Sequence, residues 1–347
     1  MARKLVIIGD YFMRSDYFEK ALRERCPEGS LDIARHDLPW PDAPMEHGYA
    51  VKGMDGLKEY MGSADETIHL IGDAEILVTQ LAPMSAAMMD RLPKLKFIAV
   101  SRGGPVNIDM KAAREHGIMV VNTPGRNATA VAEFTIGAII AETRLITRGH
   151  DALRRGEWRG DLYRADVTGK ELSELTVGLI GYGEVGTRVV KLLKPFGCRI
   201  LVADPYVQIS ASDRNDGVEQ VSLEKLLAES DVVSLHARVT PETTHMINRD
   251  TLARMKKGAT LINTARGPLV DYDALYEALT NGHLRGAMLE TFGIEPVPPD
   301  WPLLQLANVT LTPHIAGASV RTITYAANTA AEEVRRYLAG EPPVHRC

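Results

Sequence analysis

Cysteine is scarce in this chain, with only Cys26, Cys198 and Cys347 among 347 residues. The three lie far apart in the sequence and make none of the short spacings typical of a cysteine-ligated metal site. We therefore expect a reduced, cytoplasmic protein whose thiols bind no metal.

Neither sign of charge is in excess. The 40 Lys and Arg residues stand against 45 Asp and Glu residues, for a formal net charge of -5 and a pI near 6.1. Nucleic-acid-binding domains usually show a pI above about 9 or a basic stripe, whereas basic stretches here, such as Arg335-Arg336, are short and lie among acids. We expect no nucleic-acid partner.

Long hydrophobic runs are also absent. Glu133 and Glu142 interrupt the apolar stretch "VAEFTIGAIIAET", and the run in the opening "MARKLVIIGD" is too short for a signal-peptide core. We expect no membrane-spanning segment. With 45% hydrophobic and 24% charged residues, the chain has the composition of a globular protein, and its length predicts two domains.

Short apolar runs alternate with helical stretches in two series. The first contains "KLVIIG", "LDIAR", "EILVTQ", "KFIAV" and "IMVV"; the second contains "TVGLIG", "RILVAD", "VVSLHA", "TLINT", "GAMLET" and "VTLTP". This alternation predicts parallel sheets covered by helices, an α/β fold. A long apolar helix is predicted from about Thr129 and a last helix from about Val320 to Leu338. The Pro- and Gly-rich segment from His36 to Gly56 is typical of a functional or disordered connection.

The segment "TVGLIGYGEVGTRVVKLL" carries Gly181, Gly183 and Gly186 in the spacing G-x-G-x-x-G. A predicted strand precedes the glycines, a predicted helix follows, and the next strand ends in Asp204. In a dinucleotide site the glycines allow a tight turn, the helix N-terminus faces the pyrophosphate, and the carboxylate binds ribose hydroxyls. The alternative is a turn whose glycines serve packing alone. Asp204 would repel a 2′-phosphate, which favours NAD over NADP.

Three polar residues follow strands of the second series: Arg266 in "INTARGPLVD", Glu295 in "MLETFGIEP" and His314 in "LTPHIAG". Because doubly wound sheets bind ligands at the carboxyl ends of their strands, the three side chains can converge beside the cofactor. Oxidation of an alcohol needs a base, a cation for the negative oxygen and a hydride acceptor, which histidine, arginine and NAD supply. A carboxylate would orient the histidine. Taken singly, each residue also fits a structural role in a loop or on the surface.

The motifs "GLIGYGEVG", "VSLEKLLAESDVVSLHARVTPET", "MKKGATLINTARGPLVDYDALYEAL" and "NVTLTPHIAGAS" together resemble the D-isomer-specific 2-hydroxyacid dehydrogenase family, which includes phosphoglycerate dehydrogenases and glyoxylate/hydroxypyruvate reductases. The resemblance runs from about Gly117 to Gly317. It implies two Rossmann-like doubly wound parallel-sheet domains: a flavodoxin-like substrate domain over 1–123 and 318–347, and an inserted NAD-binding domain over 124–317. It also implies a homodimer formed through the long helix in "NATAVAEFTIGAIIAETRLI".

The resemblance further implies site residues. The catalytic set is Arg266, Glu295 and His314. Substrate contacts are implied for Arg102, Gly103, Gly104, Arg266 and His314. NAD contacts are implied for Gly181, Tyr182, Gly183, Glu184, Val185, Gly186, Asp204, Pro205, His236, Ala237, Thr264, Ala265, Arg266, Glu290, His314 and Gly317. No metal is implied.

Two of the departures from the family pattern concern residues expected to contact the ligands. The loop "SRGGPVNID" resembles the family's substrate-carboxylate loop but is shorter and carries Arg102, and Glu290 stands where the family usually has aspartate. We expect Arg102, together with His47 or Tyr49, to select a substrate with an extra anionic or hydroxylated group. The alternative for Arg102 is a surface cation beside the loop.

The sequence therefore predicts an NAD-dependent oxidoreductase that transfers a hydride between nicotinamide and a small D-2-hydroxy acid or its 2-keto acid, phosphorylated and sugar-derived acids included. The alternative is a module of the same fold that senses NAD(H) and binds a partner with little turnover. Retention of Arg266, Glu295 and His314 weighs against that alternative.

Overall fold

The computed structural model describes residues 2–39, 54 and 56–347. His47 and Tyr49, expected above to select the substrate, lie outside the described residues. The chain divides into two compact units: Met1–Asn127 with Ala318–Cys347 form the first, and Ala128–Gly317 form the second. In the described part of the chain, no helix is both long and apolar enough to cross a membrane.

The first unit is built on a five-stranded sheet in the order β2-β1-β3-β4-β5, with every pair parallel. Its elements, numbered along the whole chain, are β1 (Arg3–Asp10), α1 (Ser15–Arg25), β2 (Leu31–Leu38), α2 (Ala64–Ile71), β3 (Ile76–Thr79), α3 (Ala86–Asp90), β4 (Phe97–Val100), α4 (Met110–Glu115), β5 (Met119–Val121) and the last helix α12 (Val320–Ala339).

The central strands of this sheet, β3 and β4, are unbroken apolar runs because both of their faces are covered. Helices α1 and α12 pack together on one face, with Phe18 and Val334 fully buried there. The edge strand β5 is covered by the C-terminal residues, since the Asn122 N–H donates to His345 O and the Cys347 N–H donates to Val120 O. The chain's last helix and last residues therefore complete the first unit.

The second unit is built on a seven-stranded sheet in the order β12-β11-β10-β9-β6-β7-β8, again with every pair parallel. Its elements are α5 (Ala128–Thr143), α6 (Ile146–Arg154), β6 (Thr176–Ile180), α7 (Glu184–Leu193), β7 (Arg199–Ala203), α8 (Ala211–Asn215), β8 (Glu219–Gln220), α9 (Leu223–Glu229), β9 (Val232–Leu235), α10 (Arg249–Arg254), β10 (Thr260–Asn263), α11 (Tyr272–Thr280), β11 (Gly286–Leu289) and β12 (Val309–Leu311).

The predicted pair of parallel α/β sheets is confirmed, and each apolar run that was expected to be a strand is one. The two-residue strand β8 was not predicted because it is too short to show a period. Side chains cap two helices of this unit: the Ser222 hydroxyl accepts from the Lys225 N–H, and the Asp271 carboxylate accepts from the Ala274 N–H. These caps fix where α9 and α11 begin.

The carboxyl ends of the seven parallel strands lie along one edge of the second sheet. The chain order reverses between β6 and β9, because β6 leads to β7 and β8 on one side while β9 to β12 follow on the other. A doubly wound sheet binds ligands in the crevice at such a switch point. The loops that follow these strands are therefore where a site is expected.

Candidate active site

The glycine loop that follows β6 leaves no room for side chains at two of its three glycines. Gly181 has φ +106°, and a Cβ there would lie 2.8 Å from the backbone of His236. A Cβ on Gly186 would lie 2.3 Å from Gly181 O, whereas Gly183 faces open space. Close packing therefore explains why residues 181 and 186 are glycines. Gly183 leaves the backbone open to close approach by a ligand.

The helix that starts in this loop, α7, has no side-chain cap. Its N-cap residue is Gly183, whereas side chains cap the neighbouring helices α8, α9, α10 and α11. The first-turn N–H groups of α7 are thus left for a ligand, and together with the helix dipole they favour an anion. An NAD pyrophosphate fits this cradle.

Asp204 is held at the end of β7 by backbone hydrogen bonds. Its Oδ2 accepts from the Tyr182 N–H at 2.8 Å, and its Oδ1 accepts from the Tyr206 and Val207 N–H groups at 2.8 and 3.0 Å. A carboxylate has about four acceptor sites, so capacity remains for ribose hydroxyls. The Tyr182 side chain instead turns into the core, where its hydroxyl donates to Asp213. Tyr182 therefore reaches this loop through its backbone.

His236 lies directly after β9, on the other side of the switch point. Its Nε2 lies 3.0 Å from the hydroxyl of the buried Ser234, and its Nδ1 is buried without a hydrogen-bond partner among the described residues. Burial lowers the pKa of His236 from 6.5 to about 4. The ring is therefore neutral near pH 7 and presents an unpaired polar atom beside the glycine loop.

Arg266 follows β10 and is positioned by a residue that the sequence analysis missed. The buried Asn263 accepts from the Ala265 N–H through Oδ1 and donates through Nδ2 to Arg266 O. Asparagine at a strand end is a typical turn former, and this is the signal that would have identified it. Arg266 itself is exposed, yet surrounding protein atoms lower the pKa of its guanidinium, opposed by the charge of Glu295.

Glu295 and His314 form a hydrogen-bonded pair. Glu295 follows β11, and its Oε2 lies 2.7 Å from His314 Nδ1, while its Oε1 accepts from the Phe292 N–H at 2.8 Å. The side chains are 15% and 35% exposed, respectively. The carboxylate is thus fixed by its own loop and fixes one ring nitrogen of His314, Nδ1.

The loop that carries His314 is bound to the end of β11. His314 has φ +54°, a left-handed conformation that costs a non-glycine residue about 1 kcal/mol or more. Its N–H donates to Glu290 O at 3.0 Å. The Glu290 side chain is fully buried, and its carboxylate accepts from the Thr312 hydroxyl and the Ala316 N–H. Thr312 was not identified from the sequence.

The remaining cofactor candidates contribute in different ways. Thr264 is buried, with its hydroxyl 2.8 Å from that of Thr135 on α5. Glu184 forms an ion pair with Arg188 one turn along α7. Val185 lies in the first turn of α7. The others lie in loops: Pro205 after Asp204, Ala237 after His236, Ala265 before Arg266, and Gly317 at the end of the second unit.

In the first unit, Arg102 is not a surface cation. Its side chain is 12% exposed, forms an ion pair with Glu59 and donates to Glu59 O at 3.0 Å. The adjoining Gly103 and Gly104 are exposed, and a Cβ on either would meet no atom within 4 Å. Among the described residues, neither glycine's N–H donates a backbone hydrogen bond. These amides are therefore available to an anion.

The second unit matches a known family. The model of the D-isomer specific 2-hydroxyacid dehydrogenase NAD-binding domain matches residues 136–316. A glyoxylate reductase of Korarchaeum cryptofilum is 41% identical over 277 residues, which are 80% of this chain and 83% of that protein. A hydroxypyruvate reductase of Thermotoga maritima is 40% identical over 259 residues, 74% of this chain and 81% of that protein. The crystal structure of the TT0316 protein from Thermus thermophilus has a TM-score of 0.79 and 34% identity, and the match covers 99% of both chains. This chain therefore belongs to the D-isomer specific 2-hydroxyacid dehydrogenase family.

Proposed function

We propose that His314, Glu295 and Arg266 carry the reaction of this NAD-dependent oxidoreductase, which transfers a hydride between nicotinamide and a small D-2-hydroxy acid or 2-keto acid. NAD, when bound, would supply the acceptor for the hydride that leaves C2 of the hydroxy acid. His314 takes the hydroxyl proton on Nε2, because its Nδ1 is bonded to Glu295. Glu295 stabilises the imidazolium that forms. Arg266 binds the substrate carboxylate and polarises the C2 oxygen.

The observation that carries this assignment is the 2.7 Å contact between Glu295 and His314. The test compares His314→Gln and Glu295→Gln with the wild type in NADH-coupled reduction of 2-keto acids, with NADH affinity measured by fluorescence. We expect His314→Gln to remove turnover and Glu295→Gln to lower kcat by roughly a hundredfold, both with NADH affinity retained. Full turnover in His314→Gln would refute the assignment.

We infer further that the Gly103 and Gly104 amides of the first unit bind the substrate carboxylate. Their open surroundings and unused N–H groups within the described residues support this role. In our proposal, Arg102 contributes to the selection of substrates only when an anionic group of the substrate competes with Glu59 for the Arg102 guanidinium. Glu59→Gln should then raise affinity for acids with a second negative group, and Arg102→Ala should lower it. Unchanged ratios among such acids in both variants would remove Arg102 from substrate selection.

The substrate can be identified by testing a panel of 2-keto acids. The relatives are named glyoxylate reductase and hydroxypyruvate reductase, so we propose glyoxylate and hydroxypyruvate first, with pyruvate, sugar-derived and phosphorylated 2-keto acids beside them. NADH oxidation on one subset would identify the substrate class. Tight NADH binding without turnover on any acid would instead favour the sensing module.

We propose a homodimer that uses the surface of α5 and the segment after it. Helix α5 keeps Phe134, Ile136 and Ile140 only partly buried. Trp158 and Tyr163, in the segment beyond α6, are 85% and 94% exposed. Large aromatic side chains this exposed are typical of a surface that another chain covers.

The dimer can be tested with a double variant, Trp158→Ser with Tyr163→Ser, in sedimentation experiments. We expect it to shift the protein toward monomer, whereas Tyr206→Ser, which removes an aromatic residue that is also 85% exposed, should not. A monomeric wild type would contradict the proposal. A cytoplasmic location likewise stays a proposal, supported by three cysteines that form no disulfide, and cell fractionation would test it.

A further inference from the structure

Glu290 is a fully buried carboxylate bonded to the loop that carries His314, and the mechanism above does not use it. It follows β11 directly, and its N–H donates to Asn263 O at 3.0 Å, so its backbone continues the sheet. Its own carbonyl oxygen accepts from the His314 N–H. Glu290 is therefore bonded to the end of β10 and to the loop after β12.

The side chain of Glu290 binds that same loop at two more points. One carboxylate oxygen accepts from the Thr312 hydroxyl, and the other accepts from the Ala316 N–H. Thr312 and Ala316 lie two residues before and two residues after His314. The three hydrogen bonds to Glu290 thus hold the centre and both flanks of a five-residue loop.

The conformation of the loop explains why it needs this support. His314 has φ +54°, a left-handed conformation that an L-residue adopts only when surrounding contacts enforce it. Glu295 fixes the ring through Nδ1 but does not restrain the flanking backbone. The Glu290 carboxylate supplies that restraint.

We propose that Glu290 is a positioning residue, which holds the loop of residues 312–316 so that His314 meets the substrate in the reactive geometry. The proposal rests on the role proposed for His314. Burial raises the pKa of Glu290, while hydrogen bonds from Thr312 and Ala316 and the nearby charge of His314 lower it.

The length of the side chain at position 290 distinguishes a positioning role from a cofactor-binding role. Aspartate is one methylene shorter, so an aspartate at position 290 would not reach both Thr312 and Ala316 from the same backbone position. A residue that only bound the nicotinamide amide would tolerate aspartate, the residue usual in the family. Glutamine keeps the length but loses the charge.

The experiment compares Glu290→Asp, Glu290→Gln and Thr312→Val with the wild type. Thr291→Val is the matched control, because Thr291 is buried next to Glu290 and its hydroxyl has no hydrogen-bond partner among the described residues. The measurements are kcat and KM for the best 2-keto acid, the pH profile of kcat, and NADH affinity by fluorescence, which also verifies folding.

We expect Glu290→Asp and Thr312→Val to lower kcat by roughly tenfold or more, with NADH affinity within about twofold of the wild type. Glu290→Gln should keep more of kcat than Glu290→Asp, because glutamine keeps the length that reaches both Thr312 and Ala316. Thr291→Val should match the wild type.

Two results would overturn the inference. Normal kcat and pH profile in Glu290→Asp, with weakened NADH binding in Glu290→Gln, would make Glu290 a cofactor ligand. Wild-type behaviour in all three variants would make it a packing residue. Either result leaves the proposed function intact as long as His314→Gln removes turnover, whereas turnover in His314→Gln would refute the proposed function itself.

Discussion

His236 is expected to make the protein lose stability in mild acid. Its ring is enclosed at the switch point of the second sheet, although part of the residue reaches solvent. Within the described residues, the ring's one hydrogen-bond partner is the hydroxyl of Ser234, and Nδ1 has none. An imidazolium there would bury an unpaired N–H, and this is why burial lowers the pKa of His236 to about 4.

The direction in which pH changes the free energy of unfolding follows from the pKa of His236 in the folded and unfolded chains. The pKa of His236 is 6.5 without burial and about 4 in the folded protein, so the unfolded chain binds the proton more tightly. The stabilisation is complete above about pH 6.5 and is lost as the pH falls toward about 4. The difference between the two values corresponds to about 3 kcal/mol of unfolding free energy, of which about 2 kcal/mol is lost by about pH 5.

The assay is urea unfolding without cofactor, followed by circular dichroism from about pH 8 to about pH 5. His236→Asn removes the titrating ring, so the wild type should lose about 2 kcal/mol more than this variant over that range. His245→Asn is the control, because His245 is exposed at φ +52°, a conformation that asparagine tolerates. A stability difference between wild type and His236→Asn that stays constant with pH would refute the reasoning.

Three further outcomes are expected. Gly186→Ala places a Cβ 2.3 Å from a backbone oxygen of its own loop, so it should cost about 1–3 kcal/mol in urea unfolding and weaken NADH binding in fluorescence titration. Arg266→Lys replaces a planar fork by a point charge and should lower kcat by roughly tenfold to a hundredfold, with NADH affinity unchanged. Glu333→Ala removes a buried acceptor of the Val344 N–H and should lower the free energy of unfolding by about 1–3 kcal/mol, whereas the surface variant Glu332→Ala should cost less than about 1 kcal/mol.

The sequence predicts the strands and the approximate place of the polar residues because both depend on local pattern. Alternating apolar runs identify parallel strands, and parallel strands end at a common edge. Arg266, Glu295 and His314 could therefore be grouped from the sequence, since they follow the neighbouring strands β10, β11 and β12. Their catalytic roles stay predictions until the variants are measured.

Side-chain direction and long-range pairing could not be predicted. Tyr182 lies inside the glycine motif, yet its side chain is buried and its hydroxyl donates to Asp213, 31 residues later. Arg102 forms an ion pair with Glu59, 43 residues earlier, and no local period connects the two residues. The burial of Glu290 depends equally on the loop after β12, which the sequence places only approximately.

The second sheet thus uses two kinds of loop along one edge. After β6, glycine keeps side chains away, so that the backbone and the helix dipole of α7 can meet an anion. After β10 and β11, side chains do the opposite: Asn263 donates to the backbone of Arg266, and the Glu290 carboxylate accepts from Thr312 and Ala316 on either side of His314. Binding a dinucleotide needs an open backbone, whereas proton transfer needs a fixed imidazole. The two requirements are met at different strands, so substitutions that disturb the His314 loop should change kcat without changing NADH affinity.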